Sequence, residues 1–211
     1  AGEIALKESM ETTHYSAMDK AGNIVGITTT INHSYGNKKI VDGAGFLLNN
    51  EMDDFSSKPG QQNTYGLIGY SANSIEPSKR PLSSMTPTLV IDEEGTPIMT
   101  IGAAGGSRII TAVLQTIISV IDHGLGIQEA IDLPRTHSQW LPDIIRYEPK
   151  ALNKKQKEEL RKLNHMFEHS GNVELGMYYL ARAHGIHFKD GAFSTGVDIR
   201  GNGEKSDGSV Y

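Results

Sequence analysis

The chain has 211 residues, with 20 lysines and arginines against 25 aspartates and glutamates, and its formal net charge of −5 argues against a phosphate-neutralising surface for nucleic acid. It contains no cysteine and no apolar run of about 18 residues, which excludes disulfides, thiolate metal sites, a cysteine nucleophile and a membrane span within it. Its 23 glycines, against 8 prolines, are spread without a period, as in a folded protein of strands and turns.

The first half of the chain has the patterning of strands and turns. Residues 12–17 and 24–31 predict two strands that form an antiparallel hairpin. A third apolar run covers residues 44–48. From residue 56 to residue 84 the chain has little periodicity and is rich in proline, glycine, serine and asparagine. Loops this long in a compact domain are usually functional or disordered.

The second half alternates between strand and helix patterns. Residues 88–91 and 97–101 flank an acidic turn and predict a second hairpin. Isoleucine, valine and leucine then recur at helical spacing over residues 109–121, which predicts a largely buried helix. The remaining predicted elements are helices over residues 127–133 and 153–167 and strands over residues 173–181 and 192–199. Strands at both ends around central helices indicate a single α+β or layered αββα domain.

The strongest candidate for chemistry is the glycine-containing stretch 102–107, which follows an apolar strand and opens the buried helix. Backbone N–H groups of Gly105 and Gly106 at a helix N-terminus would form a site for negative charge. A phosphate-binding Walker loop needs Lys-Ser/Thr after the second glycine, where Ser107 and Arg108 stand instead. An oxyanion hole needs two amides aimed at a developing alkoxide, which these glycines can supply. A tight strand-to-helix turn is the alternative.

Other polar clusters carry weaker indications. Two pairs of histidines are spaced three or four residues apart, but a metal site needs three or four ligands and the chain has no HExxH pattern. We therefore expect no metal. The adjacent serines Ser83 and Ser84 follow two cations and suit either a carboxylate-binding site or a simple turn.

Six short segments of the chain together carry a family resemblance. In order these read TTHYS at 12–16, LLNNEMDDF at 47–55, KRPLSSMTPT at 79–88, GGSRII at 105–110, Pro-Arg at 134–135 and QWLP at 139–142. In order and spacing they resemble the small, catalytic subunit of the γ-glutamyltranspeptidases, which are N-terminal-nucleophile hydrolases. The resemblance is close over residues 9–150 and looser beyond them. One departure is Ala103-Ala104, where family members usually have Ser-Pro.

The resemblance implies a fold and a maturation step. The fold is a four-layer αββα sandwich of the N-terminal-nucleophile type, completed by a large subunit from the same precursor. Residues 1–11 are expected to be the tail of that large subunit, and residues 12–211 the catalytic small subunit as one domain. The precursor is expected to cut itself between Glu11 and Thr12, which makes Thr12 the N-terminal nucleophile. An α-amine with a pKa near 8 can then accept the hydroxyl proton.

The implied activity is γ-glutamyl acyl transfer and hydrolysis, without a cofactor. Thr12 would attack the γ-carbonyl of a donor such as glutathione, while the amides of Gly105 and Gly106 hold the oxyanion. The resulting ester would pass its γ-glutamyl group to water, an amino acid or a peptide. The family resemblance also implies a periplasmic or secreted location.

The same resemblance assigns residues that recognise the donor. Ser83 and Ser84 match the binders of its α-carboxylate. Asn32, Glu51 and Asp54 match the positions that hold its α-ammonium, and an amide carbonyl with two carboxylates gives the acceptor surface that an ammonium needs.

Two further assignments concern the surroundings of the nucleophile. Thr30 matches a hydroxyl near the amine of the nucleophile, and Tyr65 matches a tyrosine in a lid loop over residues 59–69. Two other functions stay open: a relative that acts on poly-γ-glutamate in a capsule, and a binding homologue in which residues 1–11 remain attached and cap the amine of Thr12.

Overall fold

The computed structural model describes residues 12–170 and 180–200. Within them the chain is a mixed α and β domain of strands, α-helices and short 3₁₀ turns. The strands are β1 (Thr13–Met18), β2 (Ile24–Thr29), β3 (Thr88–Ile91), β4 (Pro97–Ala104), β5 (Thr136–His137), β6 (Ile145–Tyr147), β7 (Phe167–His169), β8 (Arg182–Lys189) and β9 (Ala192–Val197). The helices are α1 (Ile109–Ile121), α2 (Ile127–Asp132) and α3 (Lys154–Lys162).

Strand β4 is the centre of the domain, because both of its faces are covered. It is an inner strand of an antiparallel sheet with the order β3-β4-β8-β9. On one face Met99, Ile101 and Ala103 belong to an apolar core with residues of α1 and α2. On the other face Gly102 meets hairpin β1-β2: a Cβ atom at Gly102 would lie 2.2 Å from His14 Nδ1. Since alternate residues of a strand face opposite sides, the helices, the sheet and the hairpin form three successive layers.

A second sheet has the order β5-β6-β7 and carries α3. Strand β6 pairs antiparallel with β5 and parallel with β7. Helix α3 begins with a capping box, in which Asn153 and Gln156 each accept the other's backbone N–H at 2.9 Å. Lys157 Nζ lies 4.0 Å from the ring centre of Tyr147, so the helix packs on β6 through a cation–π contact.

Two buried ion pairs connect residues 198–200 to the rest of the domain. Arg135 Nη2 lies 2.8 Å from Asp198 Oδ2, and Arg200 Nη2 lies 2.9 Å from Glu148 Oε2. Arg135 Nη1 also donates to the carbonyl of Ala181 at 3.0 Å. Two positive and two negative charges therefore balance each other, and removing one would leave a buried charge without compensation.

The structure confirms the predicted elements where the hydrophobic pattern is strong. Both hairpins, the buried helix over residues 109–121 and the short helix after it lie within a few residues of their predicted bounds. Strand β4 continues beyond the predicted end at residue 101 to Ala104, because the small residues Gly102, Ala103 and Ala104 fit between the layers.

Two predicted elements were wrong or incomplete, and one apolar run without an assignment forms no regular element. The run over residues 44–48 forms no strand and contributes one bridge, between Ile40 and Leu47. The helix predicted over residues 153–167 ends at Lys162, because Asn164 turns the backbone with a φ of 66°. Of the strand predicted over residues 173–181, residues 173–179 lie outside the described residues, as do residues 1–11, and the observed strand β8 begins at Arg182.

Candidate active site

One cavity brings together residues from three separate parts of the chain. It lies where the two ends of hairpin β1-β2 meet the irregular segment 54–85 and the turn between β4 and α1. Eight of the ten predicted site residues line it: Thr12, Thr30, Asn32, Asp54, Tyr65, Ser83, Ser84 and Gly106.

The hairpin places the predicted nucleophile and its predicted partner hydroxyl together. Thr13 pairs with Thr29 in the antiparallel register, so the next pair along the hairpin sets Thr12 opposite Thr30. Thr12 is buried, with 8% of its surface exposed. Both threonines line the cavity, so a hydroxyl from each end of the hairpin is available there.

The turn between β4 and α1 requires glycine at two consecutive positions. Gly105 has a φ of 148° and Gly106 a φ of 59°, which side chains rarely allow. A Cβ atom at Gly105 would lie 2.6 Å from Ala181 Cα, and one at Gly106 would lie 2.8 Å from Tyr65 Cδ1. Gly106 therefore faces the cavity, whereas Gly105 packs behind it against Ala181.

Asn32 is a buried junction between the hairpin and the loops around the cavity. It is 2% exposed and adopts a φ of 75°, a conformation that asparagine tolerates. Its N–H donates to Thr30 Oγ1 at 2.9 Å, and its Nδ2 donates to the carbonyl of Asn50 at 3.0 Å. The hydroxyl of Tyr65 donates to both the carbonyl and the side-chain oxygen of Asn32. Hydrogen bonds with Thr30, Asn50 and Tyr65 therefore hold Asn32 in place.

Glu51 and Asp54 form an acidic pair, of which Asp54 shares the cavity wall with Asn32. They begin and end one 3₁₀ turn, and Asp54 lines the cavity. Burial and then the neighbouring Asp54 raise the pKa of Glu51 to about 7, and burial also raises the pKa of Asp54. A cation bound beside the pair would lower both pKa values, because a nearby positive charge favours the ionised form of a carboxyl group. The pair is therefore suited to bind an ammonium group.

The predicted lid loop over residues 59–69 is folded by its own turns. Asn63 Oδ1 accepts the backbone N–H groups of Tyr65 and Leu67, both at 3.0 Å. Tyr65 is 8% exposed, and its ring lies against Gly106. The loop thus covers the glycine turn from the cavity side.

Ser83 and Ser84 lie in a segment without regular secondary structure on the cavity wall. The backbone before them is held in place because the N–H of Leu82 donates to Asn73 Oδ1 at 2.8 Å. The two predicted carboxylate-binding hydroxyls therefore share the cavity with Asp54.

Sequence reasoning assigned no role to Ser107 or to Gln139. Ser107 lines the cavity, and its hydroxyl lies 2.7 Å from Gln139 Oε1. The motif QWLP at 139–142 was the available signal, but a motif does not indicate what its glutamine contacts.

A buried hydroxyl, a glycine turn and an acidic pair around one cavity suit acyl transfer from a substrate that bears a cation. Among residues 12–170 and 180–200, no three histidine, aspartate or glutamate side chains stand close enough to hold a metal ion. In the same two ranges, no helix combines the length and the apolar character needed to cross a membrane.

Comparison with known proteins decides the family. The sequence model that describes the γ-glutamyltranspeptidases matches residues 1–207. The chain belongs to this family. The glutathione hydrolase proenzyme of Escherichia coli K12 is 53% identical to it over 147 residues, which make up 70% of this chain and 25% of the proenzyme. The chain therefore spans only part of the length of such relatives.

Solved structures of the family share the fold. A mutant γ-glutamyltranspeptidase of Helicobacter pylori is 46% identical with a TM-score of 0.81, and the match covers 90% of this chain and 100% of that one. The Pseudomonas nitroreducens γ-glutamyltranspeptidase in complex with L-DON is 41% identical with a TM-score of 0.80, covering 93% and 100%. The Bacillus anthracis transpeptidase CapD, at 21% identity and a TM-score of 0.64 over 93% and 99%, has a similar fold.

Proposed function

We propose that this chain is the small catalytic subunit of a γ-glutamyltransferase that also hydrolyses glutathione. The observation that carries the proposal is the convergence of Thr12, the Gly106 turn and Asp54 on one cavity. Membership of the γ-glutamyltranspeptidase family supports the reaction class, and relatives named glutathione hydrolase proenzyme support glutathione as a donor.

Thr12 supplies both the nucleophile and the base once it is the N-terminus. Its Oγ attacks the γ-carbonyl carbon of the donor, while the hydroxyl proton moves to its own α-amine, directly or through water. The bond from the carbonyl carbon to the leaving amine then breaks, and the leaving amine takes up that proton. A γ-glutamyl ester on Thr12 results. Water or the amine of an acceptor attacks this ester and regenerates the Thr12 hydroxyl.

The glycine turn stabilises the charge that develops during the attack. The former carbonyl oxygen becomes negative in the tetrahedral intermediate, and the N–H groups of Gly105 and Gly106 are its donors. The turn stands directly before α1, so the positive end of the helix dipole adds to their effect. Both glycines keep the backbone in conformations that other residues rarely adopt.

The two α-groups of the donor bind at separate parts of the cavity. The ammonium binds to the acidic pair Glu51–Asp54 and to Asn32. The carboxylate accepts hydrogen bonds from the hydroxyls of Ser83 and Ser84. Hydroxyl donors suit a carboxylate, whereas carboxylates offer only acceptors to an ammonium.

A large subunit cut from the same proenzyme completes the enzyme. The matched region is 25% of the Escherichia coli proenzyme but 100% of a solved Helicobacter pylori chain, which supports a mature enzyme in which this region is a chain of its own. On the outer face of hairpin β1-β2, Tyr15, Val25 and Ile27 are exposed. A layer of the large subunit over this face would complete the four-layer αββα sandwich.

The cut between Glu11 and Thr12 is the step that frees the α-amine of the nucleophile, and residues 1–11 would stay with the large subunit. The family resemblance supports a periplasmic or secreted enzyme.

The test compares Thr12→Ala with Thr13→Ala in the proenzyme that contains this chain. Thr13 is the adjacent, exposed threonine, so it controls for the loss of one hydroxyl and one methyl group. We expect Thr12→Ala to remain uncut and to release no γ-glutamyl group from glutathione, while Thr13→Ala is cut and active. Turnover by Thr12→Ala at the wild-type rate would overturn the proposal. Comparing glutathione with a γ-linked glutamate oligomer in the same assay identifies the preferred donor.

A further inference from the structure

We propose that Gln139 is a positioning residue for the oxyanion turn, acting through Ser107. The inference rests on the proposed function, because it concerns the alignment of the Gly106 amide. Ser107 follows Gly106 within the same 3₁₀ turn, Gly106–Arg108, and lines the cavity. Its hydroxyl bonds this turn to Gln139 in the segment 136–141.

The orientation of the Gln139 amide follows from its three contacts. Its Nε2 donates to the carbonyl of Leu141 at 3.2 Å, which leaves Oε1 as the atom that faces Ser107 and His137. Ser107 Oγ lies 2.7 Å and His137 Nε2 lies 2.9 Å from this oxygen. A carbonyl oxygen only accepts, so the serine hydroxyl and the histidine N–H both donate to Gln139.

The chain of hydrogen bonds returns to the start of α1. Because His137 Nε2 carries its proton toward Gln139, the neutral ring has an acceptor at Nδ1, which lies 2.9 Å from Thr111 Oγ1. Thr111 Oγ1 also lies 3.1 Å from the carbonyl oxygen of Arg108, so its one hydroxyl proton is shared between these two acceptors. Burial lowers the pKa of His137, which favours this neutral form. Ser107 and Thr111 are thus connected by one path through Gln139 and His137, so the 3₁₀ turn is tied to Gln139 and the first turn of α1 is tied to β5.

The same glutamine stands next to the lid loop. A Cβ atom at Gly66 would lie 3.9 Å from Gln139 Nε2, and Tyr65 of that loop lies against Gly106. Gln139 therefore lies beside the lid loop and is hydrogen-bonded to the turn that this loop covers. Without its side chain, Ser107 loses this acceptor and the turn loses its hydrogen bond to residue 139.

The expected consequence is a defect in turnover and not in donor binding. The groups assigned to the α-carboxylate and the α-ammonium lie elsewhere in the cavity, so ground-state binding is retained. An oxyanion donor must lie close to its ideal position, and a displacement of about 1 Å can lower the rate about 100-fold. We expect Gln139→Ala and Ser107→Ala to lower kcat about 10- to 100-fold with KM within about twofold of wild type.

The matched control is Gln128→Ala. Gln128 also makes three hydrogen bonds, to the backbone N–H and carbonyl of Val197 and to Asp132, but it lies between α2 and β9, away from the cavity. We expect Gln128→Ala to change melting temperature and to leave kcat per active site unchanged. Gln139→Glu keeps an acceptor oxygen for Ser107 and His137, so it should restore part of the rate that Gln139→Ala loses.

The experiment measures kcat and KM of the matured enzyme per titrated active site, with the affinity for a boronic acid analogue of the donor that mimics the tetrahedral intermediate. We expect Gln139→Ala to weaken the boronate far more than it weakens glutamate. If Gln139→Ala and Ser107→Ala lose no more kcat than Gln128→Ala, or if boronate and glutamate weaken equally, the positioning role is wrong. Failure of the proposed function would look different, because the wild-type enzyme itself would then release no γ-glutamyl group.

Discussion

The comparison of Gly106→Ala with Gly124→Ala separates a catalytic turn from a merely tight one. Both glycines have left-handed backbones, with a φ of 59° at Gly106 and 70° at Gly124. Alanine in this conformation costs roughly 1–2 kcal/mol, so both variants should lose about the same conformational stability. At Gly124 nothing lies within 4 Å of the added Cβ, whereas at Gly106 it would lie 2.8 Å from Tyr65 Cδ1. Only at Gly106 must the lid loop or the turn move.

That displacement sets the expected effect on the reaction. The amide of Gly106 is one of the two proposed oxyanion donors, and loss of one such donor lowers the rate about 100- to 1,000-fold. We therefore expect Gly106→Ala to lose at least about 100-fold in turnover per titrated site, and Gly124→Ala to keep full turnover. Melting temperature and titrated turnover are measured on the same preparations. Equal losses of melting temperature with full turnover in both variants would refute the oxyanion role.

Three further changes test the rest of the site and the fold. Asp54→Asn removes a charge-assisted hydrogen bond to the donor ammonium, worth about 1.5–3 kcal/mol, so kcat/KM should fall about 10- to 150-fold. The self-cut should still proceed, and an uncut chain would indicate that Asp54 has a structural role instead. The folded protein raises the pKa of Glu51 from 4.5 to about 7, so it binds this proton more tightly than the unfolded chain, and stability declines as the pH rises from 4.5 to 7. Denaturation at pH 5 and pH 8 should show a smaller decline for Glu51→Gln than for the wild type, with the remainder due to the raised pKa of Asp54. Asp198→Ala removes the carboxylate that pairs with the buried guanidinium of Arg135, and the free energy of unfolding should fall by about 3–5 kcal/mol. A loss below about 1 kcal/mol would mean that the remaining hydrogen bonds of Arg135 to backbone carbonyls compensate for the lost partner.

The elements that the sequence predicted correctly are those whose pattern is local. The helical spacing of isoleucines over residues 109–121 and the apolar strand before it need no knowledge of the rest of the chain. Hydrophobic periodicity did not predict where helix α3 ends, because the end depends on the left-handed backbone conformation of Asn164. Strands β5, β6 and β7 are only two or three residues long, and they are defined by their partners and not by any pattern of their own.

For the candidate site too, the sequence did not predict contacts between residues that are far apart in the chain. The family resemblance predicted which residues gather, and eight of them line one cavity. It did not predict that Gly105 packs against Ala181, since the two are far apart in sequence. The contact between Ser107 and Gln139 was equally inaccessible, because a hydrogen bond across 32 residues depends on how β5 is placed beside α1.

The nucleophile itself is tested most directly by trapping the covalent intermediate. The matured enzyme is mixed with a γ-glutamyl donor, quenched in acid within one turnover, digested and analysed by mass spectrometry. The expected result is one added γ-glutamyl group on the peptide that begins at Thr12, placed on that residue by fragmentation and lost on treatment with hydroxylamine. A γ-glutamyl group found on another residue, or an unmodified Thr12 during productive turnover, would contradict the assignment of Thr12 as the nucleophile.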